Sequence, residues 1–339
     1  MNAQSEAKRD WHKNVRPIRP VFPSGAALLC AISLALAALC LGLGYLGGIW
    51  IPFDAVSHLR VHLIGAIAGL AVAIGVLFLT RRKRFAGACL VIAAIATVIF
   101  AGYWPGHDQQ PGEDLALSEG EVKLRLMWFN IWSRNRDDDK IVAAVKDANA
   151  DVVLFAETAP SRKALLEQLK TDYPHQAQCW HIPYCGIAIL SKVPFEEATP
   201  HARWAGPAMI RVRFGKEFKG VTLFAVHLVR PNTPFAQWEQ IKSLAGATFT
   251  AEGPVIVAGD FNATPYSIML LGLSEFAGLW RMTELPSWPT WFFGFPQLSI
   301  DHQFISNGVR PLNFPKLGKD GGSDHLPMIG TYGISPPLQ

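Results

Sequence analysis

Pro254-Val-Ile-Val-Ala-Gly-Asp260-Phe261-Asn262 is a short apolar run closed by a carboxylate and an amide. Its β-branched content, and its stop before Ala263-Thr264-Pro265, read as a buried strand that carries polar side chains to its end. The pattern repeats outward along the chain. Val122-Lys-Leu-Arg-Leu-Met-Trp-Phe-Asn130 closes on Asn130, with Val122, Leu124, Leu126 and Trp128 on one face. Asp151-Val-Val-Leu-Phe-Ala-Glu157 closes on Glu157, and Val221-Thr-Leu-Phe-Ala-Val-His227 on His227. Gly186–Ser191 reads as a further strand. Asp137–Asn149 sets Ile141, Val142, Val145 and Ala148 at helical spacing behind a turn of acids, and Pro234–Phe249 reads as a second helix. Strands alternating with helices predict a layered α/β fold.

Two more pairs follow, Ile300-Asp301-His302 and Ser323-Asp324-His325. Singly, all these residues have plainer readings: Asn130 as a turn residue, Glu157 as a strand-end carboxylate, His227 and His302 as structural imidazoles. Together they are the groups that a hard divalent cation and a phosphoryl group require. Carboxylates hold the cation, amides and imidazoles meet phosphoryl oxygens, and an Asp–His pair manages a proton.

The order and spacing resemble the endonuclease/exonuclease/phosphatase superfamily of metal-dependent phosphoester hydrolases, over residues 122–335. The resemblance implies a DNase I-like four-layer α/β sandwich with its site at the strand ends and Mg²⁺ or Mn²⁺ as cofactor. It implies Glu157 and Asp324 as metal ligands, with Asn130 orienting metal or phosphate. Asp260 would handle the attacking water, Asn262 would hold a phosphoryl oxygen, and His227 would contact phosphate. His325 would transfer a proton or contact phosphate, with Asp301 as its orienting carboxylate. Two departures matter: Ala156 stands where the family usually has Gln, and Trp132 where abasic-site endonucleases carry an acid. Those enzymes also place a Tyr near His227, so the sequence points away from base-excision repair.

Residues 21–104 have a different character. Ser24–Gly47, Val61–Thr80 and Phe85–Tyr103 are apolar stretches with almost no internal charge, each of about the 20 residues that span a bilayer. The tail, residues 1–20, carries Lys8, Arg9, Lys13, Arg16 and Arg19, and Arg81-Arg-Lys-Arg84 separates the second and third stretches. The positive-inside rule predicts three transmembrane helices with both basic segments in the cytoplasm. A linker, residues 105–121, then leads to a catalytic domain outside the inner membrane, with the lipid bilayer as its partner.

Charge narrows the substrate. Residues 1–103 hold ten Lys/Arg against three Asp/Glu, and the remainder 21 against 24, so the net +4 belongs to the anchor. A domain that grips long duplex DNA is normally basic, because its affinity comes from phosphate neutralisation. Nucleic-acid phosphodiesters and the phosphorylated head groups of lipids or small molecules remain the two substrate classes, and the charge favours the second. A non-catalytic binding or sensor protein on the same fold is the alternative. Cys179 and Cys185 are a disulfide candidate in an oxidising compartment. The aromatic segment 280–295 reads as a core cover or as a lip that stacks on a base or enters the bilayer interface.

Overall fold

The computed structural model describes residues 25–78, 83–103, 115–201, 206–282, 284–291 and 297–336. The basic tail, Arg81 and Arg82, the first part of the linker, and Phe292, Phe293 and Phe295 lie outside the described residues.

Alternation along β1 (Val122–Asn130) decides the layering. Leu124, Leu126 and Trp128 point to one side and Met127 and Phe129 to the other, and all five are fully buried. A strand buried on both faces must lie inside a sheet that is covered twice. β1 is the third strand of a six-stranded sheet in the order β11 (Val309–Leu317), β12 (Met328–Ile334), β1, β2 (Val152–Ala156), β4 (Ala188–Ser191), β3 (His175–Gln178). A second six-stranded sheet runs β5 (Phe195–His201), β6 (Ala208–Phe214), β7 (Thr222–His227), β8 (Val255–Asp260), β10 (Asp301–Ile305), β9 (Trp280–Arg281).

The sheets meet face to face through Leu124, Leu126, Trp128, Leu154, Ile210, Leu223 and Ile256. Helices α5 (Asp138–Ala148) and α6 (Lys163–Gln168) cover the outer face of the first sheet through Ile141, Val145 and Leu165. Helices α7 (Pro234–Phe249) and α8 (Ile268–Ala277) cover the second through Ile241, Leu244, Leu270 and Leu273. Each such buried side chain is worth about 1.5–3 kcal/mol in removal from water. The four predicted layers are present.

Each sheet contains one parallel pair joined by a crossover helix, β1–α5–β2 and β7–α7–β8. Parallel pairs end together, so Asn130 lies beside Ala156 and His227 beside Asp260. Antiparallel β10 enters at that same end, placing Asp301 opposite Asp260. β12 begins with Met328 opposite Trp128, which hangs the Ser323–Pro327 loop over the end of β1. Five strand ends and one loop therefore converge.

N-terminal to the sandwich are α1 (Gly25–Gly44), the one-turn α2 (Asp54–Ser57), α3 (Arg60–Phe78) and α4 (Lys83–Tyr103). Arg60–Leu77, with a mean hydropathy of 2.0, is long and apolar enough to cross a bilayer; Leu28–Gly44 and Arg84–Phe100 are shorter apolar helices. Their outward faces expose Leu29, Leu36, Val76, Val91, Ile95 and Val98, the reverse of the sandwich. The segment between α1 and α3 packs on the sandwich: Ile51 lies against the α7–α8 layer, and Asp54 is fully buried at the start of α8.

Candidate active site

The sharp ends of β2 and β8 are backbone features. Glu157, Asn262 and Trp132 hold φ of +58°, +49° and +57°, a region that non-glycine residues seldom enter. Three such residues around one cleft are a strain cluster of the kind functional sites accumulate. Gly259 is required for a different reason: a Cβ there would stand 2.3 Å from the Val226 carbonyl oxygen of β7. The glycine lets the parallel pair close and brings Asp260 alongside His227.

Asn130 is the hub. Its Nδ2 donates to Asp260 Oδ2 at 3.0 Å and to Glu157 Oε1 at 3.2 Å, and lies 3.4 Å from His325 Nε2. Its Oδ1 accepts the Trp132 amide at 3.0 Å, which fixes the turn. Ser323 Oγ donates to the Asn130 carbonyl at 2.7 Å and accepts the His325 amide at 3.1 Å, tying the β12 loop to β1.

His325 is buried, with Nδ1 at 2.8 Å from Asp301 Oδ2 and Nε2 at 3.7 Å from Asp260 Oδ2. Asp301 is wholly enclosed: Trp128 Nε1 donates to Oδ1 at 2.8 Å and Ser287 Oγ to Oδ2 at 2.5 Å. Burial by itself would raise the Asp301 carboxyl, but the His325 charge and the three donors hold it below its ordinary value. Burial likewise opposes the His325 imidazolium, yet Asp301 above all, with Asp260 and Asp324, pushes it up to about 9. Asp260 goes the other way: burial and the neighbouring Asp301 charge raise it, against the pull of His325 and His227. His227 Nε2 lies 3.7 Å from Asp260 Oδ2.

Glu157 and Asp324 form a second acidic group facing the cleft. Glu157 Oε2 accepts the Ser133 amide at 2.9 Å; burial raises the group, but that amide, His227 and Asn130 bring it below its usual value. Asp324 is raised by burial and by Glu157. Its Oδ2 accepts Trp288 Nε1 at 3.1 Å, while among the described residues Oδ1 is buried without a partner. Among the described residues neither acid pairs with Lys or Arg. A bare carboxylate oxygen beside a second carboxylate suits a hard divalent cation, so these residues fit the metal that the sequence implies. The ligand atoms of Asp260, Asp301 and His325 also lie within 4.8 Å of one another. That set is less free to take a cation, because Asp301 and His325 Nδ1 already satisfy each other.

All eight residues singled out in the sequence therefore lie at one end of the sandwich. Six of them, Asn130, Glu157, His227, Asp260, Asp301 and His325, are joined to one another by polar contacts of 3.7 Å or less, and Asp324 faces the cleft beside them. Asn262 is attached through its amide to Asp260 Oδ1 at 2.8 Å and through Nδ2 to the Leu228 carbonyl at 3.0 Å. Six of the eight, all but Asn130 and Asp301, line a cleft of about 530 Å³ whose walls also include Arg134, Arg230, Trp288, Trp291, Leu298 and Ile300. His302 turns away to the Ala263 carbonyl, at 2.8 Å, and packs on Phe261. Trp128, Ser287, Ser133 and His58 belong to the site or its support without having been singled out for it. Trp128 was legible only as core, and Ser287 sits in an aperiodic loop.

An Endonuclease/Exonuclease/phosphatase family model matches residues 127–325, more than half the chain, and the protein belongs to that family. A UPF0294 protein of Vibrio cholerae is 27% identical over 239 residues, covering 66% of this chain and 82% of the relative. Among solved structures, the endonuclease/exonuclease/phosphatase protein from Beutenbergia cavernae is 20% identical with a TM-score of 0.51, over 63% of this chain and 72% of that one. D. rerio TDP2 complexed with a single-strand DNA product is 16% identical with a TM-score of 0.52, over 62% of this chain and 99% of that one. At these identities the structural likeness is one of fold.

Proposed function

We propose that the protein is a membrane-anchored, divalent-metal-dependent phosphoester hydrolase whose catalytic domain lies outside the inner membrane. The observation that carries the reading is the continuous network from Asp301 through His325, Asp260 and Asn130 to Glu157 at the rim of one cleft.

Glu157 and Asp324, with Asn130 beside them, would hold Mg²⁺ or Mn²⁺, which when bound supplies Lewis-acid neutralisation of phosphoryl charge. Asp260 has the raised carboxyl of a general base and takes the proton of the attacking water. His325 is the cationic partner that faces the phosphoryl oxygens and returns a proton, its ring fixed by Asp301 on Nδ1. His227 and the second N–H of Asn262 Nδ2 add donors for the anionic transition state. The acidic balance of the catalytic domain favours lipid or small-molecule phosphoesters over long nucleic acids.

Three bilayer-crossing helices would put the α1–α3 loop and the sandwich on the same side of the membrane. The contacts between that loop and α8 support this topology. Full-length protein in detergent should release product from a phosphoester panel with Mg²⁺ and lose activity in EDTA. Undiminished hydrolysis in EDTA would overturn the mechanism. An alkaline phosphatase fusion at Gln339 should be active, and a silent one would reverse the topology.

A further inference from the structure

The segment joining α1 to α3 reaches the catalytic cleft itself. Asp54 seats it: Oδ2 accepts the Ser267 hydroxyl at 2.5 Å and Oδ1 the Ile268 amide at 2.8 Å, capping α8. The Arg60 guanidinium lies 4.2 Å above the Tyr45 ring and 5.1 Å from that of Tyr266, clamping the segment from the other side. His62 Nε2 is 3.1 Å from Gln297 Oε1.

Between these clamps, His58 touches the loop that follows Asn262. Its Nδ1 accepts the Thr264 amide at 3.1 Å and lies 3.2 Å from Thr264 Oγ1. Accepting at Nδ1 leaves the proton of a neutral ring on Nε2. Burial, against the opposing charge of Asp54, favours that neutral form. The side chain is only 7% exposed, and Nε2 has no hydrogen-bond partner among the described residues. Yet His58 is part of the wall of the same cleft as Asp260, Asn262 and His325, on a face completed by Leu298 and Ile300. A buried N–H left unpaired costs about 1–3 kcal/mol, so its retention beside a reaction cleft calls for a ligand atom.

We propose that His58 is a substrate-contacting residue supplied by the membrane anchor, its Nε2–H bonding a polar atom of a phosphoester carried by a membrane lipid. The inference rests on the hydrolase reading above and adds the substrate's source to it. Two residues after His58 the chain enters α3, whose outer face is apolar. The wall to which His58 contributes thus continues into the element that meets the acyl chains. A substrate rooted in the same bilayer reaches this end of the cleft without leaving it, whereas a free polynucleotide must approach an acidic domain.

The test uses the full chain in nanodiscs with Mg²⁺. Its substrates are vesicles of phosphatidylglycerol, phosphatidylethanolamine and sphingomyelin, a single-stranded DNA oligonucleotide, and soluble bis(4-nitrophenyl) phosphate. His58→Asn keeps an acceptor for the Thr264 amide and deletes Nε2, while His58→Gln carries an amide N–H toward the Nε2 position. We expect His58→Asn to melt with wild type yet raise KM for the cleaved lipid about tenfold with little change in kcat. His58→Gln should recover most of that loss, and His58→Ala should lose the binding and also melt lower. An unchanged KM in His58→Asn, or full recovery of the His58→Ala loss by His58→Asn, would make the residue structural and overturn the contact. Preference for DNA over every lipid would overturn the lipid assignment. A wild-type protein that cleaves none of the panel would instead sink the hydrolase reading.

Discussion

Asp301 sits at the dry inner end of the site with Trp128, Ser287 and His325 all bonded to it; Asp324 stands at the cleft with one oxygen on Trp288 and the other bare among the described residues. Both lie in the field of His325, and their carboxyls move in opposite directions, Asp301 down and Asp324 up. The difference lies in the donors each has been given. A carboxylate with its lone pairs filled by the fold is set to hold a neighbour in place. One with a lone pair left over is set to receive something from outside.

Activity should break along that line most severely at the inner end. Asp301→Asn and His325→Ala should each cut kcat/KM by on the order of 10³, and the double variant should be little worse than either. Multiplicative losses would mean that the two do not act as a unit. Glu157→Gln and Asp324→Asn should come next, losing about 10²-fold at fixed Mg²⁺ and regaining part of it as the metal concentration rises. A loss equal at all metal concentrations would remove both from the cation.

Stability in EDTA sharpens the contrast further. Asp301→Asn strands a buried imidazolium and should cost about 3–5 kcal/mol in denaturant unfolding. Asp324→Asn relieves repulsion with Glu157 and should melt at or above wild type. The pair also sets a pH window. Because His325 rises from 6.5 to about 9 on folding, its stabilisation is complete below pH 6.5 and lost as pH climbs through 9. Asp301, depressed below 3.8, stabilises above that pH and loses its contribution as the solution becomes more acid. Thermal melts of metal-free wild type should show both arms, and those of Asp301→Asn neither. The smallest effect on catalysis belongs to His302→Ala. It should lower the melting temperature through its lost contact with Ala263 while leaving kcat/KM within about twofold.

Much of this was legible before the fold was known because buried strands are short, apolar and end abruptly. Asn130, Glu157, His227 and Asp260 are all last or next residues of such runs, so strand ends and site residues were read together. The alternation of Leu124, Leu126 and Trp128 was visible too, but not that the Trp128 ring carries its N–H to Asp301. That contact needs both sheets. The Asp301–His325 pairing came from family resemblance, since no local pattern joins residues 24 apart. Cys179 and Cys185 were left open and are bonded. His58 escaped notice because its packing partner, Thr264, lies some two hundred residues downstream.

The seat of Asp54 on α8 also orders the protein's biogenesis. Asp54 and Ser267 are 213 positions apart, so the carboxylate emerges from the ribosome long before the helix it will cap. At roughly 5–20 residues per second, that gap is on the order of 10–40 s of synthesis. The early segment waits hydrated until the first turn of α8 has been made, and its docking is a late closure between two parts of the chain far apart in sequence. A polypeptide truncated before Thr264 would lack that closure, leaving Asp54 and His58 without their partners and the apolar Ile51 open to proteases.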